Sequence, residues 1–319
     1  MVIAIALIGT ALIVWWTADI FLLVFAAVLL AVFLRAITDF VLKHTNLSGR
    51  WALLTVLLGL GGAIALAMRT MAPNIAQQAR VLGDELPKAF DQLRSYPWAG
   101  DVLPSFEQLA PIVQRAFSST LGAGASLVII LAVGFYLSVD PAKYKRGVVA
   151  LFPKPRRRRA SEVLDEIANT LRMWLMGKIV GMSFVGLATT LGLWALGHPL
   201  AFTLGLMAGL LDFIPNVGPL IAFIPAVLLA LMESPMQALY VIILYLAVQG
   251  LESYLIEPWM YQRNVDLPPA LTVSGQVFFS ILLGFLGLLV ATPLLAVVVT
   301  LVKQLYLGDV LEDLPQRAA

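Results

Sequence analysis

The sequence predicts an all-α, polytopic integral membrane protein carrying two broken re-entrant hairpins in an inverted repeat. Three observations predict it. Of the 319 residues, 60% are hydrophobic and 13% charged, about half the charged share of an ordinary soluble domain. Apolar runs recur at close to the roughly 20 residues a helix needs to cross a bilayer. Two later runs are interrupted by proline and glycine, and broken backbone at membrane depth is tolerated only inside protein or beside water.

The elements follow in order. Residues 2–16 and 20–34 read as two short helices joined at Asp19, because one helix over 2–34 would be about 50 Å long against a hydrocarbon core of about 30 Å. Trp15 and Trp16 then mark an interface. No basic stretch precedes the first run, so it reads as a retained membrane segment rather than a cleaved leader. Residues 51–68 form the third span and close an amino-terminal membrane region, 1–71.

Residues 72–120 read as an external amphipathic segment. Ile75, Ala79, Leu82, Leu86, Ala89 and Leu93 recur at helical spacing, and Pro87 is expected to break or kink that helix. Phe106, Leu109, Val113 and Phe117 mark a second stripe. In 121–172 a fourth span (121–139) precedes a polar, basic loop (140–171) containing Arg156, Arg157, Arg158 and Arg159.

Residues 173–307 read as a core of two spans and two re-entrant hairpins, followed by a tail at 308–319. Its first span is 173–197, with Trp174 and Trp194 spaced to sit in the two aromatic belts. Residues 201–231 are interrupted from Asp212 to Pro219 and read as a hairpin. A span at 238–256 follows. Residues 270–307, interrupted by Gly284, Gly287 and Pro293, read as a second hairpin.

Basic residues set the orientation. With 35–50 and 140–172 inside, 15 of the 21 lysines and arginines face the cytoplasm. Both termini are then cytoplasmic, and 72–120 is external. The two hairpins enter from opposite sides, each broken after a Gly-Leu-Leu (Gly209-Leu210-Leu211 and Gly287-Leu288-Leu289). Paired broken segments in opposed repeats point to a secondary transporter.

The run from Gly205 through Pro219 with Ile224-Pro225-Ala226, and later Glu257-Pro258 and Leu286 through Pro293, resembles the signature of the autoinducer-2 exporter family over nearly the whole chain. The resemblance implies export of a small polar solute or signalling molecule across a bacterial-type inner membrane. It also implies Na+ or H+ as coupling ions and a homo-oligomer, the pentamer being the form the family suggests. Two positions depart from the pattern: Gly177-Lys178 stands in place of Gly-Gln, and Leu267-Pro268-Pro269 in place of a His-Pro.

The candidate solute- and ion-binding residues are Asp212, Pro215, Asn216, Gly218, Pro219, Lys178, Gln249, Glu252 and Pro293. Asp212 at the hairpin break either caps the following half-helix or binds a proton or sodium. Lys178 either snorkels to the interface or pairs with an intramembrane acid, Glu252 being the candidate. Gln249 shares a helix face with Glu252. Glu257 reads as a helix-end residue, and His44 and His198 as solvated or interfacial side chains. Gly177/Gly181 and Gly205/Gly209 have the spacing of close helix packing.

Other classes are disfavoured. The chain has no cysteine, which removes thiolate metal sites, disulfides and cysteine nucleophiles. No intramembrane-protease motif and no nucleotide phosphate loop is present. No cofactor and no nucleic-acid partner is expected. A channel or a structural scaffold is the rival reading to a carrier.

Overall fold

The computed structural model describes residues 2–94, 123–256, 258 and 268–309, and every regular element among them is helical. The helices are α1 (Val2–His44), α2 (Gly49–Arg94), α3 (Ala123–Val139), α4 (Pro141–Ala150), α5 (Arg157–Ala195), α6 (Ala201–Leu211), α7 (Val217–Glu233), α8 (Pro235–Leu251) and α9 (Pro269–Leu301). A short 3-10 turn, Lys154–Arg156, precedes α5. π-helical turns, Glu252–Ile256 and Val302–Leu307, follow α8 and α9. Among the described residues, five helices are long and apolar enough to cross a membrane. This is the multi-pass, all-α membrane protein the composition predicts.

Several local expectations are corrected. Residues 2–34 are not two helices: α1 is continuous through Asp19. The Thr17-Ala18-Asp19 joint holds neither proline nor glycine, so nothing stops the hydrogen-bond ladder. Pro87 does not end its helix either. α2 runs on past both Pro73 and Pro87, since each proline removes one amide donor while neighbouring turns keep theirs. The basic stretch 140–171 is largely helical rather than a loop. Asp140 caps α4, its carboxylate accepting from the Lys143 amide at 3.0 Å, and Pro141 supplies the preset φ of a first helical turn. The second amphipathic stripe, Glu257 and Leu267 lie outside the described residues.

The chain divides into two compact units. The first comprises residues 1–57, 121–175 and 264–319, and the second 58–120 and 176–263. In the first, α1 packs along α3 where Gly134 meets Ala27 and Leu30: a Cβ on Gly134 would lie 2.8 Å from Leu30 Cδ2. Leu22, Leu29, Leu171 and Val290 form its apolar core. Arg157 donates to the carbonyls of Ala150 and Phe152 at the end of α4. Arg159 pairs with Asp309 at 2.8 Å. Trp174, expected in an aromatic belt, is instead 2% exposed in this unit. Its spacing from Trp194 fixed a distance along the helix but not the face it lies on.

The long apolar run of α9 does not cross straight. Gly284 has φ 64° and ψ −149°, a region essentially restricted to glycine. Beyond it the chain doubles back. A Cβ on Gly275 would lie 2.3 Å from Leu295 Cδ1, and one on Gly287 would lie 2.2 Å from the Phe279 carbonyl oxygen. Gln276 and Thr292 approach to 3.5 Å. Twenty residues of unbroken helix would separate Gly275 from Leu295 by about 30 Å.

The second unit holds a similar doubled-back pair, α6 and α7, built on Leu204, Ala208, Ala222, Ala226 and Leu229. Gln237 of α8 donates to the Leu196 carbonyl at 2.7 Å. Thr203 of α6 hydrogen-bonds Gln78 of α2. His198, expected at a solvated boundary, is buried in this unit, with Nδ1 accepting from the Leu200 amide at 3.2 Å.

Candidate functional site

The break between α6 and α7 begins as a helix end. The amides of Asp212, Phe213 and Ile214 still bond back to Ala208, Leu210 and Leu211. Pro215 has no amide to continue the ladder. Asn216 then takes φ 66° and ψ −48°, and the Val217 amide donates to the Pro215 carbonyl at 2.8 Å. That i to i+2 bond closes a γ-turn of the strained, positive-φ kind. Gly218 permits the closure, because a Cβ there would lie 1.7 Å from the Leu211 carbonyl oxygen. Asp212 is therefore the C-cap of α6. The N-cap of α7 is Asn216, and no side chain caps it.

Small residues decide where the Asp212 carboxylate goes. α6 lies against α5 through Gly209 and Gly186: a Cβ on Gly209 would lie 2.8 Å from Gly186 Cα and 2.8 Å from the Met182 carbonyl oxygen. Gly205 meets Thr190 in the same way. The α5 ridge Lys178, Met182, Gly186 and Thr190 thus runs along α6 at four-residue spacing. Lys178 comes at the end of that ridge, beside Asp212. Lys178 Nζ lies 2.8 Å from Asp212 Oδ2.

Glu252 completes the cluster from α8. It ends α8 and opens a π-helical turn, an irregularity frequent at functional sites. Its Oε1 lies 3.6 Å from Lys178 Nζ, and its Oε2 accepts from Gln249 Nε2 at 3.1 Å. Gly181, one turn past Lys178, leaves room for both acids. A Cβ there would lie 3.1 Å from Glu252 Oε1 and 3.9 Å from Asp212 Oδ2.

Lys178, Asp212 and Glu252 are 4%, 1% and 5% exposed. Lys178 therefore does not snorkel; it stands between two carboxylates. Removing the partner of a buried charge costs about 3–5 kcal/mol; loss of Lys178 would leave both acids without a counter-charge, whereas loss of one acid leaves the lysine the other. One ammonium facing two carboxylates leaves one formal negative charge in excess. Asp212 Oδ2 touches the ammonium, yet no aligned hydrogen bond satisfies it. Such a cluster can take up a proton or a small cation. No cluster of metal-ligating side chains occurs among the described residues.

Of the residues singled out from the sequence, the structure brings Lys178, Asp212, Gln249 and Glu252 together. Pro215, Asn216, Gly218 and Pro219 build the turn beyond Asp212, with Asn216 exposed and Gly218 buried. Pro293 is buried in the second limb of α9, in the other unit. The Lys178–Asp212 contact was missed from the sequence. Its signal was the glycine spacing on α6 read against Gly186 on α5.

Comparison with known proteins places this geometry in context. A family model described as "AI-2E family transporter" matches residues 3–307. "Putative transport protein YueF" of Bacillus subtilis (strain 168) is 25% identical over 263 residues, 74% of this chain and 71% of that protein. "Putative transport protein YrrI" of the same strain is 29% identical over 51% of this chain and 46% of its own length. "Putative permease PerM" of Escherichia coli (strain K12) is 24% identical over 79% of this chain and 78% of its own.

Proposed function

We propose a carrier function, because this chain belongs to the AI-2E transporter family and buries an unbalanced charge triad beside a broken helix pair. The protein is a secondary transporter that moves a small polar solute or signalling molecule, by export, coupled to Na+ or H+. The observation that carries this reading is the position of Lys178 between Asp212 and Glu252. A buried ionisable group in a membrane segment is costly and marks ion or substrate pathways. Here the excess negative charge can be neutralised by the coupling ion, so that loading and release change the electrostatics of the α6–α7 break. Pro215, Asn216, Gly218 and Pro219 are the proposed solute contacts of the second unit; Pro293 is proposed separately as a solute contact within the first.

The setting proposed for this chemistry is the transport core 173–307, with each doubled-back pair re-entrant and the two related as an inverted repeat. The protein sits in a bacterial-type inner membrane with both termini cytoplasmic. It assembles as a homo-oligomer, for which a pentamer is the form proposed. No nucleotide drives the cycle, since the chain carries no phosphate loop. A second reading, a sodium/proton antiporter of the same family, is favoured by one feature: a triad short of one positive charge can exchange one cation for another with no further solute.

The test is transport by proteoliposomes under imposed Na+ or H+ gradients, comparing the parent with Asp212→Asn at matched protein levels. The variant keeps shape and removes the charge. It should assemble normally and lose gradient-driven transport across the pH range. Equal transport would reject the coupling role, and strict dependence on nucleotide would reject the carrier reading. Currents far above carrier turnover would favour a channel. A reporter fused after Ala319 should read cytoplasmic and a tag near Ser95 external.

A further inference from the structure

The first unit contains a cavity that the charge triad does not involve. It measures about 390 Å³ and lies among α1, α3, α4 and α5. Its wall is apolar: Val28, Ala31, Val32, Leu137 and Ala168 line it. Its other end is charged. Arg35 Nε contacts Asp39 Oδ1 at 3.2 Å, and an Arg172 terminal nitrogen contacts Asp39 Oδ2 at 3.1 Å. All three side chains line the cavity and are half-exposed.

Two features make this more than a structural ion pair. One aspartate serves two guanidinium groups, so the cluster keeps one positive charge in excess, and Asp39 is the one carboxylate in ion-pair contact with either arginine among the described residues. Each guanidinium carries five N–H donors in a planar fork suited to phosphate, and one contact to Asp39 leaves most of them free. Tyr144 and Asn169 add a hydroxyl and an amide to the same wall. The apolar and charged ends are also ordered in space. Along one face of α1, Val28, Ala31 and Val32 precede Arg35 and Asp39, so the two ends lie within about 16 Å along the helix axis.

We propose that this cavity is a binding site for an anionic phospholipid. The phosphate takes the guanidinium donors of Arg35 and Arg172 that Asp39 does not use, and an acyl chain lies along Val28, Val32 and Ala168. Charge selects the class: a basic pocket between membrane helices attracts an anionic headgroup, while a zwitterionic headgroup brings its own cation to a positive cluster. The apolar wall selects lipid over free anion, because a bare phosphate would leave that wall uncovered.

The experiment is native mass spectrometry of the full chain in a neutral detergent. The probes are phosphatidylglycerol and phosphatidylcholine at matched concentration, with millimolar inorganic phosphate as competitor. Two variants accompany the parent. Arg172→Gln removes one phosphate donor, and Ala168→Phe fills the apolar wall from an exposed helix position without touching charge. The parent should retain phosphatidylglycerol about tenfold better than phosphatidylcholine. Each variant should lose about tenfold of that retention, and inorganic phosphate should not displace the lipid. Equal retention of the two lipids, or parental retention by Ala168→Phe, overturns the proposal. Displacement by inorganic phosphate identifies a free-anion site and overturns it equally. Should Arg172→Gln fail to fold, Ala168→Phe decides alone.

Discussion

Lys178 Nζ stands 2.8 Å from Asp212 Oδ2 and 3.6 Å from Glu252 Oε1, with all three side chains buried. The lysine is brought to the aspartate by glycines. α5 and α6 touch at Gly186 and Gly209, and that close approach carries the end of α6 to Lys178. The charge cluster and the small-residue packing are one construction. Substitutions at either should register at the other.

Lys178→Met removes the ammonium and leaves two buried carboxylates facing each other. The expected loss is about 3–5 kcal/mol at neutral pH. Thermal melts of parent and variant in one detergent check this. Equal melting temperatures would mean that the triad holds together by packing rather than charge.

Gly181 is the floor beneath both acids. In Gly181→Ala the added Cβ would lie 3.1 Å from Glu252 Oε1, close enough to displace that carboxylate by a few tenths of an ångström. The helix itself gains from alanine by up to about 1 kcal/mol. Stability should therefore hold or rise while gradient-driven transport falls several-fold. Unchanged transport with a normal melting temperature would show that Glu252 has no positional role.

Asn216 stores strain at the hairpin turn, at φ 66°. Asn216→Gly relieves it and should stabilise the fold by up to about 1 kcal/mol, whereas Asn216→Val should cost about 1–3 kcal/mol. The comparison is a pair of melting temperatures in one detergent. If both variants melt with the parent, the turn relaxes without using that conformation.

Some of this was legible in the chain and some was not, for reasons that differ by residue. Pro215 and Gly284 announced breaks, because a missing amide and a glycine-only conformation are local properties. Pro87 and Asp19 misled for the same reason: a proline or an acid inside a helix permits a break, and neighbouring turns decide whether one occurs. Trp174 and His198 were placed by spacing along the chain, which fixes height on a helix but not which neighbour covers the face. Glu252 and Gln249 were paired correctly because residues three apart on one helix must meet.

The sequence by itself determined that this is a multi-pass helical membrane protein with two interrupted apolar runs, and that Lys178, Asp212 and Glu252 lie within its apolar segments. Composition and periodicity are sums over local residues, and they need no knowledge of what packs on what. Only the tertiary structure decided that Lys178 faces Asp212 as well as Glu252, and that Arg172 shares Asp39 with Arg35. The pairings of Lys178 with Asp212 and Glu252 and of Arg172 with Asp39 join side chains 34, 74 and 133 positions apart only where helix contacts bring them within 4 Å. Charge attraction falls off with distance and with solvent screening, so a partner is defined by the packing that removes water between two groups, and that packing is written in no single stretch of the chain.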